Sequence, residues 1–251
     1  MMKFTIAVSG KGGVGKTTIA AILMRELIAR SAGAVLGVDA DPNACLAFML
    51  GVETTGSISD LREQTRNAQP SNTGIDRLSS FEYGLEQIVT EAKGFDLVTM
   101  GRPEGRSCYC AVNNLLRKYL DQLASRYAFI VLDNEAGMEH LSRRTTNKVD
   151  VLYIIAENSP VGEMTARRIY ELTKMLLIEV GQTGIIWNKS ATPGQLDGIQ
   201  NFGCIPSDPA VSEAAVQGKT VFDISSESPA VQAVRQILEK NLETEKISTS
   251  S

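Results

Sequence analysis

Short unbroken apolar runs recur along the chain, at residues 3–9, 34–39, 95–100, 127–133, 150–156 and 184–188. Each places Val, Ile, Leu or Phe on consecutive rather than alternate positions. Such runs suit strands buried on both faces, as in a parallel sheet covered by helices. Between them, residues 17–30, 112–125 and 161–178 carry apolar positions at helical spacing. This alternation predicts right-handed crossovers and a single α/β fold: one doubly wound, mostly parallel sheet flanked by helices. No stretch has the composition of a linker, and residues 67–73 (NAQPSNT) read as a surface loop. The domain is expected over residues 1–242, with 243–251 as a polar, fraying tail.

Composition narrows the function. Of 251 residues, 43% are apolar and 22% charged, which excludes a disordered chain and leaves ample material for a core. Four cysteines are too few for a disulfide scaffold, so a reduced, cytoplasmic setting is expected. The longest strongly apolar run, residues 151–156, is far short of the about 18–20 needed to span a bilayer. A net charge of −4 speaks against a nucleic-acid face. Residues 231–246 carry both signs rather than one basic stripe. Neither a membrane nor a nucleic-acid partner is expected.

Residues 10–17, Gly10-Lys11-Gly12-Gly13-Val14-Gly15-Lys16-Thr17, match G-x-x-x-x-G-K-[ST] between a strand and a helix. Glycines in such a loop let the backbone N–H groups point inward at phosphates, and the helix start adds its positive dipole end. Lys16 is expected to neutralise the β- and γ-phosphates of ATP, Thr17 to ligate Mg²⁺ through its hydroxyl, and Thr18 to complete the nucleotide-binding run. Lys11, just after the first glycine, makes the loop similar to the deviant Walker A motif. The chain thereby resembles the MinD/ParA/nitrogenase-iron-protein class of P-loop ATPases. The resemblance implies that Lys11 contacts phosphates across a homodimer interface.

Carboxylates follow at strand ends, where ligands of open α/β sheets bind. Val38-Asp39-Ala40-Asp41-Pro42 offers two of them. One can orient the attacking water and the other hold Mg²⁺ or its waters. The class resemblance gives the water to Asp41 and a supporting role to Asp39. Ile130-Val131-Leu132-Asp133 is a Walker B pattern, with Asp133 reaching Mg²⁺ through water. Asn134-Glu135-Ala136-Gly137 resembles a second switch in which Gly137 senses the γ-phosphate. By the same resemblance, Asn188 and the turn containing Pro206 and Asp208 form the adenine pocket. Asn188 can read donor and acceptor alike.

Cys108-Tyr109-Cys110 follows the apolar run 95–100. Two thiolates are half of a soft-metal site, and a two-fold dimer supplies the other half, giving four sulfurs suited to Ni²⁺ or Zn²⁺. The surrounding GRPEG…CYC…NNLLR and LDNEAGMEHLSRRT closely resemble the CooC-type nickel-insertion ATPases over nearly the whole chain. That resemblance implies an ATP-dependent metallochaperone serving a nickel–iron–sulfur apoenzyme, carbon monoxide dehydrogenase or acetyl-CoA synthase. Two alternatives stand beside it. One is a redox ATPase like the nitrogenase iron protein, with a dimer-bridging iron–sulfur cluster, against which the close C-x-C spacing weighs. The other is a MinD/ParA-type partitioning ATPase. His140, the sole histidine, is a candidate auxiliary ligand, and Arg143 and Arg144 a candidate client-facing pair. Cys45 and Cys204 read as small core hydrophobes.

Overall fold

A computed structural model describes residues 3–30, 33–41, 43–67, 84–101, 126–134, 148–175 and 179–248. In chain order the elements are β1 (Phe4–Gly10), α1 (Lys16–Ala29), β2 (Val35–Asp39), α2 (Cys45–Leu50), α3 (Ile58–Asn67), β3 (Thr90–Ala92), β4 (Phe95–Thr99) and β5 (Phe129–Asp133). They continue with β6 (Lys148–Glu157), α4 (Pro160–Met175), β7 (Glu179–Asn188), β8 (Gln200–Ile205), α5 (Pro209–Val216), a 3₁₀ turn (Val221–Asp223) and α6 (Pro229–Ser248).

The eight strands form one sheet in the order β3-β4-β2-β5-β1-β6-β7-β8. Every pairing is parallel except that of the three-residue edge strand β3 with β4. The expected doubly wound α/β architecture is therefore the one observed. All six expected strands form at their expected places. Their unbroken apolar runs are explained by burial on both faces: β1 and β2 have no exposed position at all.

Two apolar layers flank the sheet. On one face α1, α2, α5 and α6 pack over Ile6, Val8, Leu97, Val131 and Tyr153. On the other, α3 and α4 cover Leu36, Val38, Val98, Leu132 and Ile154. Helix α1 has Ala, Ile, Leu and Met nearly all round, because it is enclosed by the sheet, α2 and α6. Its buried Glu26 is matched by Arg235 Nε of α6 at 2.6 Å. Each large side chain so enclosed contributes about 1.5–3 kcal/mol relative to exposure.

Several elements were not expected: β3, β8, α2, α3, α5 and α6. Residues 176–178 lie outside the described ones, so α4 is described only to Met175. The polarity that set off residues 243–251 as a tail does not end the last helix, which runs on through Ser248. No Gly or Pro interrupts it after Pro229, and Glu, Lys and Leu are good helix formers. The expected helix at 112–125 and most of the loop at 67–73 lie outside the described residues, as do Pro42, Cys108, Cys110, Gly137, His140, Arg143 and Arg144.

Candidate active site

The carboxyl ends of the central strands converge on one edge of the sheet. β1 leads into the loop 10–15, and α1 starts at Lys16. Gly15 sits there with φ +95°, a left-handed conformation that side chains rarely adopt. A Cβ at this position would also lie 2.5 Å from Asn188 Nδ2, so only glycine serves. Asn188, at the end of β7, donates from Nδ2 to the Val14 carbonyl at 2.7 Å and so pins the loop to the sheet. Lys16 is buried and its ammonium donates to the Lys11 carbonyl at 3.3 Å. Lys11 is exposed on the outer surface of the loop, with Gly12 and Gly13 beside it.

Sheet register assembles the acidic part. Asp133 of β5 pairs with Val8 of β1 on one side and Asp39 of β2 on the other. Both carboxylates are fully buried. Asp39 is tied down: Oδ2 accepts from the Leu46 N–H at 2.8 Å and Oδ1 from the Asp41 N–H at 3.2 Å. Burial, with the Asp133 charge next, pushes its carboxyl up to about 7. Neither oxygen of Asp133 receives a hydrogen bond of ordinary geometry. Burial pushes this carboxyl up to about 6, against the lowering effects of the Thr17 hydroxyl and the Lys16 ammonium. A buried carboxylate so poorly partnered is costly in isolation. Beside a helix-start hydroxyl and a phosphate loop it has the oxygen chemistry that hydrated Mg²⁺ requires, so the residues fit that ion.

Asp41 lies farther out, half-buried, with both the backbone and side-chain N–H of Asn43 on its Oδ1 at 2.9 and 2.8 Å. The backbone just beyond is unusual: Ala44 has φ +51°, and Lys189, after Asn188, has φ +56°. They are the only non-glycine residues with positive φ among the described residues, and both border this site. Asn134, following Asp133, donates from its backbone N–H and Nδ2 to the Val8 carbonyl at 3.1 and 3.0 Å. The residue that follows β5 is thereby fixed to β1.

A cavity of about 290 Å³ opens beside the loop. Gly13, Gly15, Thr18, Asn188, Pro206 and Asp208 are among its lining residues. The Asp208 carboxylate is, however, committed to the protein. It caps α5 through the Ala210 N–H at 2.9 Å, and accepts from Ser228 Oγ and the Ala230 N–H at the start of α6. Burial pushes this carboxyl up, but those three donors outweigh it and hold the group below its ordinary range. On the apolar side of the cavity Ile22 comes from the expected α1, whereas Val211 and Ala215 were missed because α5 was not foreseen. Asp208-Pro209, a capping residue before proline at the first helical position, was the available clue.

Two cysteine expectations change. Cys45 is exposed rather than in the core. It opens the six-residue α2, whose buried positions are Leu46, Ala47 and Leu50. Cys204 is half-buried against the face covered by α4. Among the described residues there is no group of three or more His, Cys, Asp or Glu arranged for a metal ion, and no helix long and apolar enough to cross a membrane.

Comparison with known proteins agrees with this geometry. Residues 5–221 match the model of the CobQ/CobB/MinD/ParA nucleotide-binding domain. The chain is 37% identical over 247 residues to an uncharacterized ATP-binding protein of Methanocaldococcus jannaschii, covering 94% of this chain and 97% of the relative. It is 33% identical over 240 residues to the carbon monoxide dehydrogenase accessory protein CooC of Rhodospirillum rubrum, covering 88% and 90%. A ParA family ATPase from Chlorobium tepidum shares the fold, with a TM-score of 0.70 at 20% identity over 94% of this chain and 98% of that one. A strand–loop–helix phosphate site, a buried Walker B carboxylate and a match over most of the chain lead to one assignment: this chain belongs to the CobQ/CobB/MinD/ParA nucleotide-binding family and is a P-loop ATPase.

Proposed function

We propose that this ATPase is a metallochaperone. ATP draws two copies into a closed homodimer, which holds Ni²⁺, or Zn²⁺, on Cys108 and Cys110 of both chains. Hydrolysis opens the dimer and delivers the metal to a nickel–iron–sulfur apoenzyme. The observation that carries the reading is where the strand that precedes the C-x-C run ends. β4 ends beside β2, with the Met100 N–H donating to the Asp39 carbonyl at 2.8 Å, and Cys108 follows seven residues after Gly101. In sequence the thiols thus follow the strand that pairs with the one ending at Asp39. The likeness to the carbon monoxide dehydrogenase accessory protein supports the same reading.

In this scheme Lys16 and the loop N–H groups bind the phosphates, and Lys11, exposed on the loop, reaches the nucleotide of the partner copy. Thr17 and Asp133 hold Mg²⁺, which when bound offsets the phosphate charge. Asp41 orients the attacking water, and Asp39 fixes the segment that carries Asp41. Asn188, with Pro206 and Asp208 behind it, borders the base. Two thiolates of one chain leave a soft divalent ion half-coordinated, and a two-fold partner completes four ligands. Metal binding and dimerisation are then thermodynamically linked, and reciprocally so.

The test is Ni²⁺ titration of the purified protein with and without a non-hydrolysable ATP analogue, followed by native mass spectrometry and light scattering. One metal per dimer is expected, bound more tightly with the analogue and more weakly at low pH, where thiols keep their protons. Cys108→Ala and Cys110→Ala should each abolish tight binding. One tight metal per monomer, or tight binding that survives both substitutions, would overturn the proposal.

A further inference from the structure

Beyond Asp39 the row of register partners continues. Asp39 of β2 pairs with Thr99 of β4, so Asp133, Asp39 and Thr99 stand side by side on adjacent strands. Their side chains project from the face that carries α1 and α2, since Val38, Val98 and Leu132, each one residue earlier, belong to the opposite layer. Thr99 is 4% exposed, and its hydroxyl has no hydrogen-bond partner. A buried hydroxyl left unpaired costs the folded chain its full desolvation penalty, and native interiors rarely tolerate one without a use.

The neighbour explains the use. Asp39 Oδ1 is held by a single long bond, 3.2 Å, from the Asp41 N–H, whereas Oδ2 has the 2.8 Å bond from Leu46. In the proposed role Asp41 swings toward the nucleotide to orient the water, and that swing withdraws its N–H from Oδ1. Oδ1 is then short of a donor inside a dry, acidic row. Among the described residues of that row, Thr99 has the unpaired hydroxyl. We infer that Thr99 is a positioning residue for ATP hydrolysis: its hydroxyl donates to Asp39 when Asp41 lets go, and so stabilises the arrangement in which Asp41 faces the attacking water. The exchange swaps one donor for another on Oδ1, so it adds no charge and moves no proton between groups. Thr99 touches neither nucleotide nor water and acts only through Asp39.

The inference rests on Asp41 serving hydrolysis, and the experiment separates the two. Steady-state ATPase kinetics and thermal unfolding are measured on the full chain for Thr99→Val, Thr99→Ser, Ser59→Ala and Asp41→Asn. Valine keeps the shape of threonine and removes the hydroxyl. Thr99→Val should lower kcat about 10- to 100-fold, the loss of one hydrogen bond to a carboxylate, with KM for ATP within about twofold of the parent. Nucleotide-free Thr99→Val should be as stable as the parent or more so, because an unpaired buried hydroxyl is gone. A merely structural hydroxyl would give the opposite sign. Thr99→Ser should restore kcat. Ser59, another buried hydroxyl without a partner, donates its N–H to the Met100 carbonyl from the opposite layer. Ser59→Ala should leave kcat unchanged. An unchanged kcat in Thr99→Val alongside an inactive Asp41→Asn would overturn the inference. Loss of kcat in step with lost stability would overturn it as well. An active Asp41→Asn would instead remove the assigned role of Asp41.

Discussion

Replacing Asp133 with asparagine should stabilise the nucleotide-free protein, although it destroys a site residue. Burial raises the Asp133 carboxyl from 3.8 to about 6. The folded state therefore binds more protons than the unfolded chain between those values, and stability is lost as pH rises through that window. At about 1.36 kcal/mol per unit, the ionised carboxylate costs the folded state ~3 kcal/mol above pH 7. Asparagine removes this cost and incurs one of its own, ~1–2 kcal/mol for a buried amide without partners. The net gain is about 1–2 kcal/mol, increased somewhat because Asp39 also loses a like-charged neighbour. For a chain of this size that is a Tm rise of about 3–6 °C at pH 8. By pH 5 the gap should shrink to about zero, because the parent carboxyl is then mostly protonated in the folded state and its cost, ~1.6 kcal/mol, only matches that of the buried amide. Differential scanning calorimetry at both pH values, with and without Mg²⁺ and ATP, reads all of this. With both ligands present the order should reverse, since the parent gains binding energy that the variant has lost. An Asp133→Asn protein less stable than the parent at pH 8, or a gap insensitive to pH, would refute the view of Asp133 as a carboxylate awaiting a cation.

Lys16→Ala should raise the Kd for ATP by at least about 100-fold in isothermal calorimetry, since a phosphate loses a charge-assisted partner, while the fold persists. Asp41→Asn should bind ATP normally and accumulate the closed dimer with kcat down about 100-fold or more, measured by sedimentation and phosphate release. Lys11→Ala should still bind ADP as a folded monomer but fail to dimerise with ATP, as light scattering would reveal. Asn188→Ala frees the Val14 carbonyl and empties one side of the cavity, and should weaken ATP binding by about 10-fold with a fall in Tm.

The strands were legible because burial on both faces leaves an unmistakable run of apolar residues, as in Phe4–Gly10 and Phe129–Asp133. Edge elements leave no such trace. β3 is only Thr-Glu-Ala, and β8, QNFGCI, mixes polar and apolar residues where one side meets solvent. The phosphate loop was legible because its chemistry is local: one stretch of eight residues contains the whole cradle. Cys45 misled because cysteine is usually buried, whereas this one occupies the outward side of a short helix. Asp208 lines the cavity beside the loop, but its bonds to Ser228 and Ala230 span about twenty residues and leave no local pattern. The alignment of Asp133, Asp39 and Thr99 depends on strand order and register, which no periodicity encodes.

The position of β1 has a consequence for how the protein is made. It precedes both of its partners in the chain, yet it lies in the middle of the sheet, between strands that begin to pair with it at Phe129 and Val151. A nascent chain that has not reached Val151 cannot give this strand both neighbours. The phosphate loop that follows it is therefore translated well before it is completed, since its Asn188 brace lies later still. ATP cannot template the early stages of folding, and ribosome-bound fragments ending before β7 should not retain it. The apolar β1 must instead wait, shielded by α1 or by a chaperone, until β5 and β6 have been made.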